Sequence, residues 1–462
     1  MTTRRSSTLL AAVLAGVSQL ASSDVSANGY ASDPFDVQLG SVVAANPTAI
    51  YYNPAGLGFS GTQLLIDAVL VMRSTSWTHA QGQGEVPEPA GFEGANYGTA
   101  RSFLVAGGPT LAASLRLGEH LVLGGGGYIP FGGGTFRVDR NERFASSMYP
   151  GAADGITRWH AYEVGLSAIY ATAGAAVRFG VISFGATFNL IPVSIAMKRA
   201  HNSAGTNDIT REQRMSFDAS KLVASFGLGA MWELLPNQVW LGASYQAQPG
   251  LGELRMDGTS VIDTTVGITD PTRSQNVTVH HALPDIVRSG VRIKANPSFE
   301  LRMTLSFTRW SVNQTMCIGV PGLPCTVRAD GSPAPGSGVI RVLRRNWQDT
   351  FGIHGGVSYW LTPDFELSSG VGYEPTAVSD ATLEPLSADA NNFAAALGVR
   401  ARLLQTWLVA LSYNHKQFLP RDTTGKSDLA NPALNATSRG SDGGGKYEAW
   451  MATVHLSLAK EF

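Results

Sequence analysis

Short segments in which hydrophobic and polar residues alternate recur along this chain. Near the C-terminus, Trp450, Val454, Leu456 and Leu458 share one face of an extended strand, and small or polar residues share the other. Comparable alternation occurs around residues 182–190, 222–232, 238–246, 299–308, 365–373 and 407–413. A period of two predicts β-strands with one apolar face. Aromatic residues at the segment ends are typical of membrane strands, because their rings settle at the membrane–water interface.

The connections between these segments favour a membrane barrel over a soluble sandwich, which can alternate in the same way. Six short connections are predicted, at 118–120, near 171–176, and at 235–237, 295–297, 362–364 and 404–406. Seven long polar stretches lie between them, at about 75–103, 129–160, 198–220, 249–283, 313–345, 376–391 and 415–446. This order predicts an all-β fold, a 14-stranded antiparallel transmembrane β-barrel with both termini on the short-turn side. Closure leaves no strand edge exposed to lipid.

The N-terminus has the features of a secretory signal peptide, predicted over residues 1–27. Arg4 and Arg5 are basic, residues 9–17 are apolar, and Val25-Ser26-Ala27 offers a cleavage site. A twin-arginine signal is the alternative, but a barrel must cross the inner membrane unfolded. Charged residues make up 15% of the chain, against about 25% in typical soluble domains. The formal net charge of −1 gives no reason to expect nucleic acid as a partner.

Residues 28–62 do not alternate and are predicted to form a separate segment ahead of the barrel, which takes up residues 63–462. This segment ends in a Gly/Ala-rich stretch followed by Asn53-Pro54-Ala55-Gly56-Leu57. Further motifs follow in order: Leu283-Pro284-Asp285, Thr308-Arg309-Trp310-Ser311, Asn346-Trp347-Gln348-Asp349-Thr350 and Tyr373-Glu374-Pro375. In these motifs and their order the chain resembles the FadL/TodX family of outer-membrane transporters for long-chain fatty acids and other hydrophobic compounds. The segment that precedes Asn53 is shorter in this chain than is usual in that family.

The resemblance implies a 14-stranded barrel with an N-terminal hatch, residues 28–62, inside the lumen. It implies that ligand is captured by outer loops, passes to an inner pocket and leaves sideways where a strand is kinked. Asn53, Pro54 and Ala55 match the hatch motif of the family. Without the resemblance, the same triplet is equally consistent with a capped turn before the first strand.

A run of glycines, Gly124, Gly125, Gly126 and Gly127, stands in the third predicted strand. It lacks the Lys-Ser/Thr pair and the helix of a phosphate-binding loop. One interpretation is a thin, bendable strand in the barrel wall. The other, supported by its position in the family, is that this strand carries the kink that makes the lateral opening.

The stretch 129–160 combines apolar and basic side chains. A fatty acid needs apolar surface for its chain and a cation for its carboxylate, and this stretch offers both. The candidate ligand-capture residues are Phe131, Phe136, Arg137, Arg140, Arg143, Phe144, Met148 and Trp159. Ordinary loop packing, with contacts to lipopolysaccharide phosphates, is the alternative.

Cys317 and Cys325 are the only cysteines, and an even pair in an exported protein predicts a disulfide. A two-ligand metal site is the alternative, but that loop contains no histidine. His280 and His281 diverge in a strand, so no metal site is expected there, and no cofactor is predicted. The final residue, Phe462, is either a lipid-facing aromatic end or, as the resemblance implies, a signal to the barrel-assembly machinery.

Three functions compete at this point. Passive uptake of hydrophobic molecules is favoured, with long-chain fatty acids as ligands and aromatic hydrocarbons as the alternative. A general diffusion porin would need an open lumen, which residues 28–62 oppose. An outer-membrane enzyme would need a nucleophile with a base, and the sequence has no Gly-x-Ser-x-Gly element. The resemblance further implies a monomer in the outer membrane of a Gram-negative bacterium, in contact with its lipids and lipopolysaccharide.

Overall fold

The structure, a computed structural model, describes residues 41–82, 84–137, 140–263 and 273–462, and the side chains of 133–137 lie outside that description. The predicted signal peptide and residues 28–40 therefore lie outside the described residues. The strands are β1 (Gln63–His79), β2 (Gly98–Leu117), β3 (Leu121–Arg137), β4 (Glu163–Phe179), β5 (Ile182–His201), β6 (Gln213–Leu235), β7 (Val239–Gln246), β8 (Leu254–Asp263), β9 (Arg273–His281), β10 (Ile286–Asn296), β11 (Phe299–Thr308), β12 (Thr315–Gly319), β13 (Val339–Arg344), β14 (Thr350–Thr362), β15 (Phe365–Glu374), β16 (Asn392–Leu403), β17 (Trp407–Phe418), β18 (Arg421–Asp422) and β19 (Lys446–Glu461).

The helices are short. Among the described residues, the α-helix α1 (Ala49–Tyr52) precedes the first strand. The 3-10 helices are Pro54–Phe59, Glu142–Phe144, Pro150–Asp154, Ile156–Trp159, Ile209–Arg211, Pro249–Leu251, Trp310–Val312 and Pro385–Ser387. In the part of the chain that the structure describes, none of these helices is long and apolar enough to cross a membrane.

The strands form one closed antiparallel sheet, in which β1 pairs with both β2 and β19. We call one complete passage of the chain along the barrel wall a strand line, whether or not its pairing is interrupted. Five of the nineteen segments share a strand line with another segment: β8 continues β7, β9 leads into β10, β12 continues β11, β13 leads into β14, and β18 continues β17. Nineteen segments less five gives fourteen strand lines. The predicted 14-stranded antiparallel barrel is confirmed.

The two faces of each strand have opposite character. In β19, Leu456 and Leu458 are 54% and 41% exposed, whereas His455 and Ser457 are 1% and 2% exposed. An outer surface of large apolar side chains around an inner surface of polar ones is the reverse of a soluble protein. It suits a wall that has lipid outside and a polar lumen inside.

Two details of the predicted layout are wrong. The sixth short turn lies at Gly180 and Val181 rather than near 171–176, because Gly180 has φ +58° and β4 continues to Phe179. The small residues at 173–176 pair with β3 and β5 as ordinary strand residues. In addition, β8, β9, β12 and β13 lie within stretches predicted as loops. They were missed because strands beyond the membrane do not need one lipid-facing apolar side.

Four neighbouring strand lines are interrupted at one height. Below the interruption, Ile286 pairs with both Gln246 and Thr308. Above it, pairing resumes between β8 and β9 and between β12 and β13. We call the interruption the seam (residues 247–253, 282–285, 309–314 and 345–349) and the strands above it the outer crown (β8, β9, β12 and β13).

Three of the sequence motifs meet at the seam. Trp310 and Trp347 are both fully buried, with ring centroids 5.2 Å apart. The Nε atom of Arg309 lies 2.6 Å from the Asp285 carboxylate. The Leu-Pro-Asp, Arg-Trp-Ser and Asn-Trp-Gln-Asp motifs are therefore parts of one structural feature, although they are spread over more than sixty residues of the chain.

Candidate functional site

Residues 41–60, which we call the inner segment, lie against the inner face of the wall and are buried almost throughout. This is the described part of the predicted hatch. After α1, Asn53 is extended with φ −164°, and Pro54 then begins the 3-10 helix. Proline suits this first helical position because its missing N–H would have had no partner there.

Asn53 holds this turn together and joins it to the wall. Its Nδ2 donates to the carbonyl oxygens of Val42 at 2.7 Å and Ala230 at 3.1 Å. Its Oδ1 accepts a hydrogen bond of 3.1 Å from the Ala55 amide. An amide side chain is needed here, since the site uses both a donor and an acceptor.

The wall makes further hydrogen bonds to the inner segment. The Oγ of Ser183 donates to the Ala55 carbonyl at 2.8 Å, and the Oγ of Ser244 donates to the Tyr52 carbonyl at 2.6 Å. At the periplasmic end, Nη2 of Arg116 donates to the Ser60 carbonyl at 2.7 Å. These bonds satisfy backbone carbonyls that regular secondary structure leaves open.

Glycines in β5, β6 and β7 allow the inner segment to approach this closely. A Cβ at Gly229 would lie 2.0 Å from Oδ1 of Asn53, and a Cβ at Gly185 would lie 2.3 Å from the Pro54 carbonyl carbon. At Gly242 it would lie 2.5 Å from the Val42 carbonyl oxygen. Each distance is far inside van der Waals contact, so a side chain at these positions is incompatible with the docked segment.

On its other side, the inner segment meets a buried cation. Arg288 of β10 is 7% exposed, and its Nη2 donates to the Tyr51 hydroxyl at 2.7 Å. Its guanidinium carbon lies 4.6 Å from the ring centre of Tyr51 and 5.7 Å from that of Tyr52. These distances are in the range of cation–π contacts.

A cavity of about 160 Å³ separates the inner segment from the wall formed by β11 and β14–β17. Arg288, Tyr51 and Tyr52 line one side. The opposite side carries small residues, among them Gly356 and Gly370, and a charged group. In that group the Glu374 carboxylate lies 2.9 Å from Nζ of Lys416 and 3.7 Å from Nε2 of His354.

A second cavity, of about 230 Å³, lies below the first toward the short-turn end. Its wall side is an ion-pair ladder of Arg292, Glu300, Arg302, Glu366 and Arg400. Arg292 contacts Glu300 at 2.8 Å, Arg302 contacts Glu300 at 3.5 Å and Glu366 at 4.0 Å, and Arg400 pairs with Glu366. A lumen floor of paired charges is a poor path for an apolar molecule, because burying it there would desolvate the ions.

The wall has a gap between β2 and β3. Pairing of these strands runs from Leu117–Leu121 to Leu111–Gly127, and within the described residues it goes no further. Beyond Gly127, β3 pairs with β4 alone, with irregularities at Tyr128–Phe131 and at Gly132–Gly134. The irregular stretch therefore begins where β3 leaves β2.

The inner segment reaches this gap through aromatic contacts. The rings of Tyr51 and Tyr128 lie 5.3 Å apart, edge to face, and Tyr128 stacks on Tyr170 at 5.6 Å. Tyr128 is the first β3 residue beyond the last pair with β2. Tyr51 thus contacts the cation on one side and the edge of the wall gap on the other.

These features agree with a comparison of the whole sequence. The family described as outer membrane protein transport protein (OMPP1/FadL/TodX) matches residues 12–441. The chain belongs to this family. Its members are outer-membrane transport proteins, so this FadL/TodX-family protein is an outer-membrane transporter of hydrophobic compounds and not an enzyme.

Solved structures share the fold at low sequence identity. A Pseudomonas aeruginosa FadL homologue is 16% identical with a TM-score of 0.74, over 94% of this chain and 99% of that one. The Ralstonia pickettii toluene transporter TbuX is 15% identical with a TM-score of 0.60, over 90% and 94%. The Pseudomonas putida toluene transporter TodX is 14% identical with a TM-score of 0.60, over 96% and 99%. A search of curated protein sequences finds no match.

In this FadL/TodX-family protein, the predicted ligand-capture residues are not brought together. Phe131, Phe144 and Trp159 are buried at 1%, 4% and 3% exposure in separate contacts, whereas Met148 is 66% exposed. The Nε1 of Trp159 donates to Asn96 at 2.8 Å. None of the described members lines either lumen cavity.

The arginines of the same stretch have local partners. Arg140 contacts Glu142 at 3.0 Å and also pairs with Asp154. The guanidinium of Arg143 lies 5.3 Å from the ring of its neighbour Phe144. The side chains of Phe136 and Arg137 lie outside the described residues. The capture role stays a prediction.

The four consecutive glycines are paired on both sides. Gly124, Gly125 and Gly126 pair with β2 and β4, and Gly127 is the last residue paired with β2. The irregular wall therefore starts just after the glycine run rather than within it. The glycine run also lets the inner segment pack closely on β3, since a Cβ at Gly124 would lie 2.7 Å from the Leu57 side chain.

The lumen charges are the residues that sequence reasoning passed over. Glu300 and Arg302 lie in the alternating segment 299–308 but were given no role, and Arg288 and Lys416 were not singled out. The available signal was a charged residue on the inner face of a membrane strand, which is costly without a function or a partner.

Outside the membrane, the crown and loops bury several ion pairs. Burial raises the pKa of the Glu384 carboxyl, but Arg345 and the His160 imidazole outweigh that effect and lower the pKa to about 2. Burial also raises the pKa of Glu212, against the opposing charge of Arg158, whose Nε lies 3.0 Å away. These pairs tie separate loops together over the barrel mouth.

The remaining predicted residues lie at the two ends of the barrel. Cys317 of β12 is joined to Cys325 by a disulfide, with the Cα atoms 6.3 Å apart. Phe462 is 75% exposed, and its amide donates to the Thr62 carbonyl at 3.0 Å. Among the described residues, no group of three or more His, Cys, Asp or Glu is arranged to hold a metal ion.

Proposed function

We propose that this protein takes up long-chain fatty acids passively across the outer membrane. In this proposal, ligand is captured by outer loops and enters the cavity beside the inner segment. The inner segment then moves, as the hatch, and the ligand leaves sideways through the wall gap between β2 and β3 into the membrane. No energy source beyond the concentration gradient is required.

The observation that carries the proposal is the wall gap beside the inner segment. An apolar ligand that leaves sideways avoids the ion-pair ladder on the floor of the lumen. The gap begins at Tyr128, which contacts Tyr51 of the inner segment at 5.3 Å. The cavity also contains Arg288 and Lys416 against the single carboxylate of Glu374, which favours an anionic ligand.

A second candidate function is uptake of neutral monoaromatic hydrocarbons. The observation in its favour is the group of Tyr51, Tyr52, Tyr128 and Tyr170 between the cavity and the gap. Aromatic faces and edges bind one another without any charge on the ligand.

Uptake by whole cells tests the proposal, because the lipopolysaccharide leaflet keeps out hydrophobic molecules that would cross a plain lipid vesicle. Cells that lack their own transporter would express the intact protein and receive labelled oleate or labelled toluene. Faster entry of oleate is expected. Faster entry of toluene alone would support the second candidate, and free passage of sucrose would contradict both and indicate a porin.

A variant with Arg137, Arg140 and Arg143 changed to alanine tests the capture loop in the same cells. A lower rate of oleate entry at low oleate concentration is expected, since fewer cations would attract the carboxylate. Arg211→Ala is the matched control, because Arg211 is a 73% exposed side chain of another outer loop. An equal fall in the rate of oleate entry in both variants would show a general effect of surface charge and would contradict a specific role for the capture loop.

A further inference from the structure

The connection between β12 and β13 lies at the outer end of the crown and contains two Pro-Gly turns. In the first, the Leu323 amide donates to the Val320 carbonyl at 3.2 Å, and Gly322 has φ +79°. In the second, the corresponding hydrogen bond is 3.0 Å long and the glycine has φ +75°. Proline followed by a glycine with positive φ is typical of type II turns. We call the two turns together the double turn (residues 320–324 and 334–337).

The double turn is held in one shape. The disulfide of β12 closes the first turn at its base. The Gly338 amide and the Oγ of Ser337 both donate to the Pro324 carbonyl, at 2.9 Å and 2.8 Å, and so join the second turn to the first. A Cβ at Gly338 would lie 2.6 Å from Cβ of Leu323, so this leucine packs closely on bare backbone. The double turn therefore has little conformational entropy to lose when it binds a partner.

The base of this connection is anchored, whereas its tips project from the barrel. At the base, the Oγ of Ser438 in a neighbouring outer loop donates to the Gly331 carbonyl at 2.6 Å. At the tips, a Cβ built on Gly322 or Gly336 would meet no described atom within 4 Å. The tips are thus held outward by a fixed base.

The surface that the tips present is apolar. Val320 and Leu323 are 40% and 46% exposed, and the three prolines of the double turn are exposed as well. Residues 316–327 include no charged side chain. Single exposed apolar residues are ordinary, but a group of them marks an interaction site.

The double turn fits an apolar liquid surface better than a small molecule or a protein. Small molecules bind in concave sites, and two projecting turns are convex. Protein interfaces are centred on Trp, Tyr and Arg, with Leu and Val under-represented, and the double turn contains none of the first three. An apolar liquid requires neither hydrogen bonds nor a fixed shape, since binding to it only removes apolar surface from water.

We propose that the double turn binds the surface of apolar droplets in which hydrophobic compounds are dissolved, and so brings the outer loops to the source of ligand. Contact with a droplet removes Val320, Leu323 and the prolines from water, as burial of its apolar face does for a helix at a bilayer surface. The inference rests on the proposed function only in that the compounds taken up are hydrophobic, and it concerns the step before capture.

Adsorption to solid monolayers measures this binding without uptake. Purified protein in lipid nanodiscs would be passed over a methyl-terminated and a hydroxyl-terminated alkanethiol monolayer, with empty nanodiscs as the background. Adsorption to the methyl surface alone is expected. The double substitution Val320→Ser and Leu323→Ser is expected to weaken it at least about tenfold, because the two largest apolar side chains of the double turn are lost. Equal adsorption of this variant and the wild type, or equal adsorption to both monolayers, would overturn the inference.

Single substitutions make the adsorption measurement decisive. Leu323→Met keeps an apolar side chain but changes its shape, so adsorption should stay within about twofold of wild type. A loss as large as in the double variant would show that the shape of the leucine is recognised, as by a protein partner, and would overturn the inference. Leu419→Ser is the matched control, because Leu419 is a 41% exposed leucine between β17 and β18. A comparable loss in this control would show a general effect of surface hydrophobicity and would also overturn the inference.

Uptake by cells separates this inference from the proposed function. Cells with truncated lipopolysaccharide sugars would receive labelled oleate either dissolved in hexadecane droplets or as monomers supplied by albumin. The double variant should slow entry from droplets and leave entry of monomers unchanged. Equal entry from droplets in the variant and the wild type would overturn the inference and leave fatty acid uptake standing. A wild-type protein that admits oleate from neither source, yet adsorbs to the methyl monolayer, would overturn the proposed function alone.

Discussion

The lumen has two glycine-rich walls that use glycine for opposite purposes. On the docking wall (β5, β6 and β7), a Cβ at Gly185 would lie 2.3 Å from the Pro54 carbonyl carbon, and a Cβ at Gly229 would lie 2.0 Å from Oδ1 of Asn53. Both distances are too short for a side chain beside the inner segment. On the open wall (β14, β15 and β16), a Cβ at Gly356 would meet nothing nearer than 3.5 Å, and one at Gly370 nothing nearer than 3.2 Å. The first set allows close packing against the inner segment, whereas Gly356 and Gly370 line the cavity and touch no part of that segment.

The two walls are also stabilised differently. The docking wall holds the inner segment through hydrogen bonds such as those of Ser183 and Ser244, with no charge involved. The open wall and its neighbours β10, β11 and β17 carry the ion-pair ladder and the Lys416–Glu374 pair, which face the cavities. The difference teaches that glycine content alone does not locate a ligand cavity, since what faces each glycine decides whether it leaves space.

The largest effect is expected from breaking the ladder on the open wall. Glu366 is 5% exposed and pairs with Arg400 and Arg302, so Glu366→Gln leaves two half-buried cations with less opposing charge. We expect a loss of about 3–5 kcal/mol in the free energy of unfolding, measured by urea titration in lipid vesicles. Glu253→Gln is the matched control, because that carboxylate is 47% exposed and should contribute little.

A smaller effect is expected on the docking wall. Gly229→Ala forces its methyl group against Asn53, so either the inner segment shifts or the strand bends, at a cost of about 1–3 kcal/mol. Hydrogen exchange in residues 49–59 should speed up even without ligand. Unchanged exchange in this variant would show that the inner segment is not docked as described.

The smallest effect is expected from the same substitution on the open wall. Gly356→Ala adds a methyl group that makes only an ordinary van der Waals contact, 3.5 Å from the Ser369 carbonyl oxygen, so the free energy of unfolding should change by no more than about 0.5 kcal/mol. The change should instead reduce the cavity volume and weaken the binding of a fatty acid such as laurate. A loss of stability equal to that of Gly229→Ala would remove the distinction between the two walls.

Much of the barrel could be predicted from the sequence, because lipid imposes a pattern on every strand that crosses it. Segments such as 299–308 and 365–373 alternate cleanly, since one face must be apolar and the other faces the lumen. The pattern failed where that constraint is absent. The outer crown was missed because its strands stand above the membrane, and the turn at Gly180 was misplaced because alanine and glycine do not reveal which face they occupy.

The site was harder to predict than the fold. The Asn53 motif was identified, but its wall partner, Ala230, stands on a strand far away in the chain. Loop arginines such as Arg140 attracted attention because several stood together, yet Arg140 has acidic partners beside it. Arg288 is one of three basic residues in its strand, and only the closed barrel shows that it faces Tyr51.

The seam has a consequence for how the outer part of the barrel can vary in sequence. Strand register is transmitted by a continuous hydrogen-bonded ladder, and a slip of one residue turns every side chain to the other face. Because the ladder stops at one height in four strand lines, register in the crown is set by its own pairs, by the pairing of β8 with the uninterrupted strand β6 and by the Cys317–Cys325 link. Insertions or deletions above the seam can therefore reshape the mouth of the barrel without rotating the lipid-facing side chains below it.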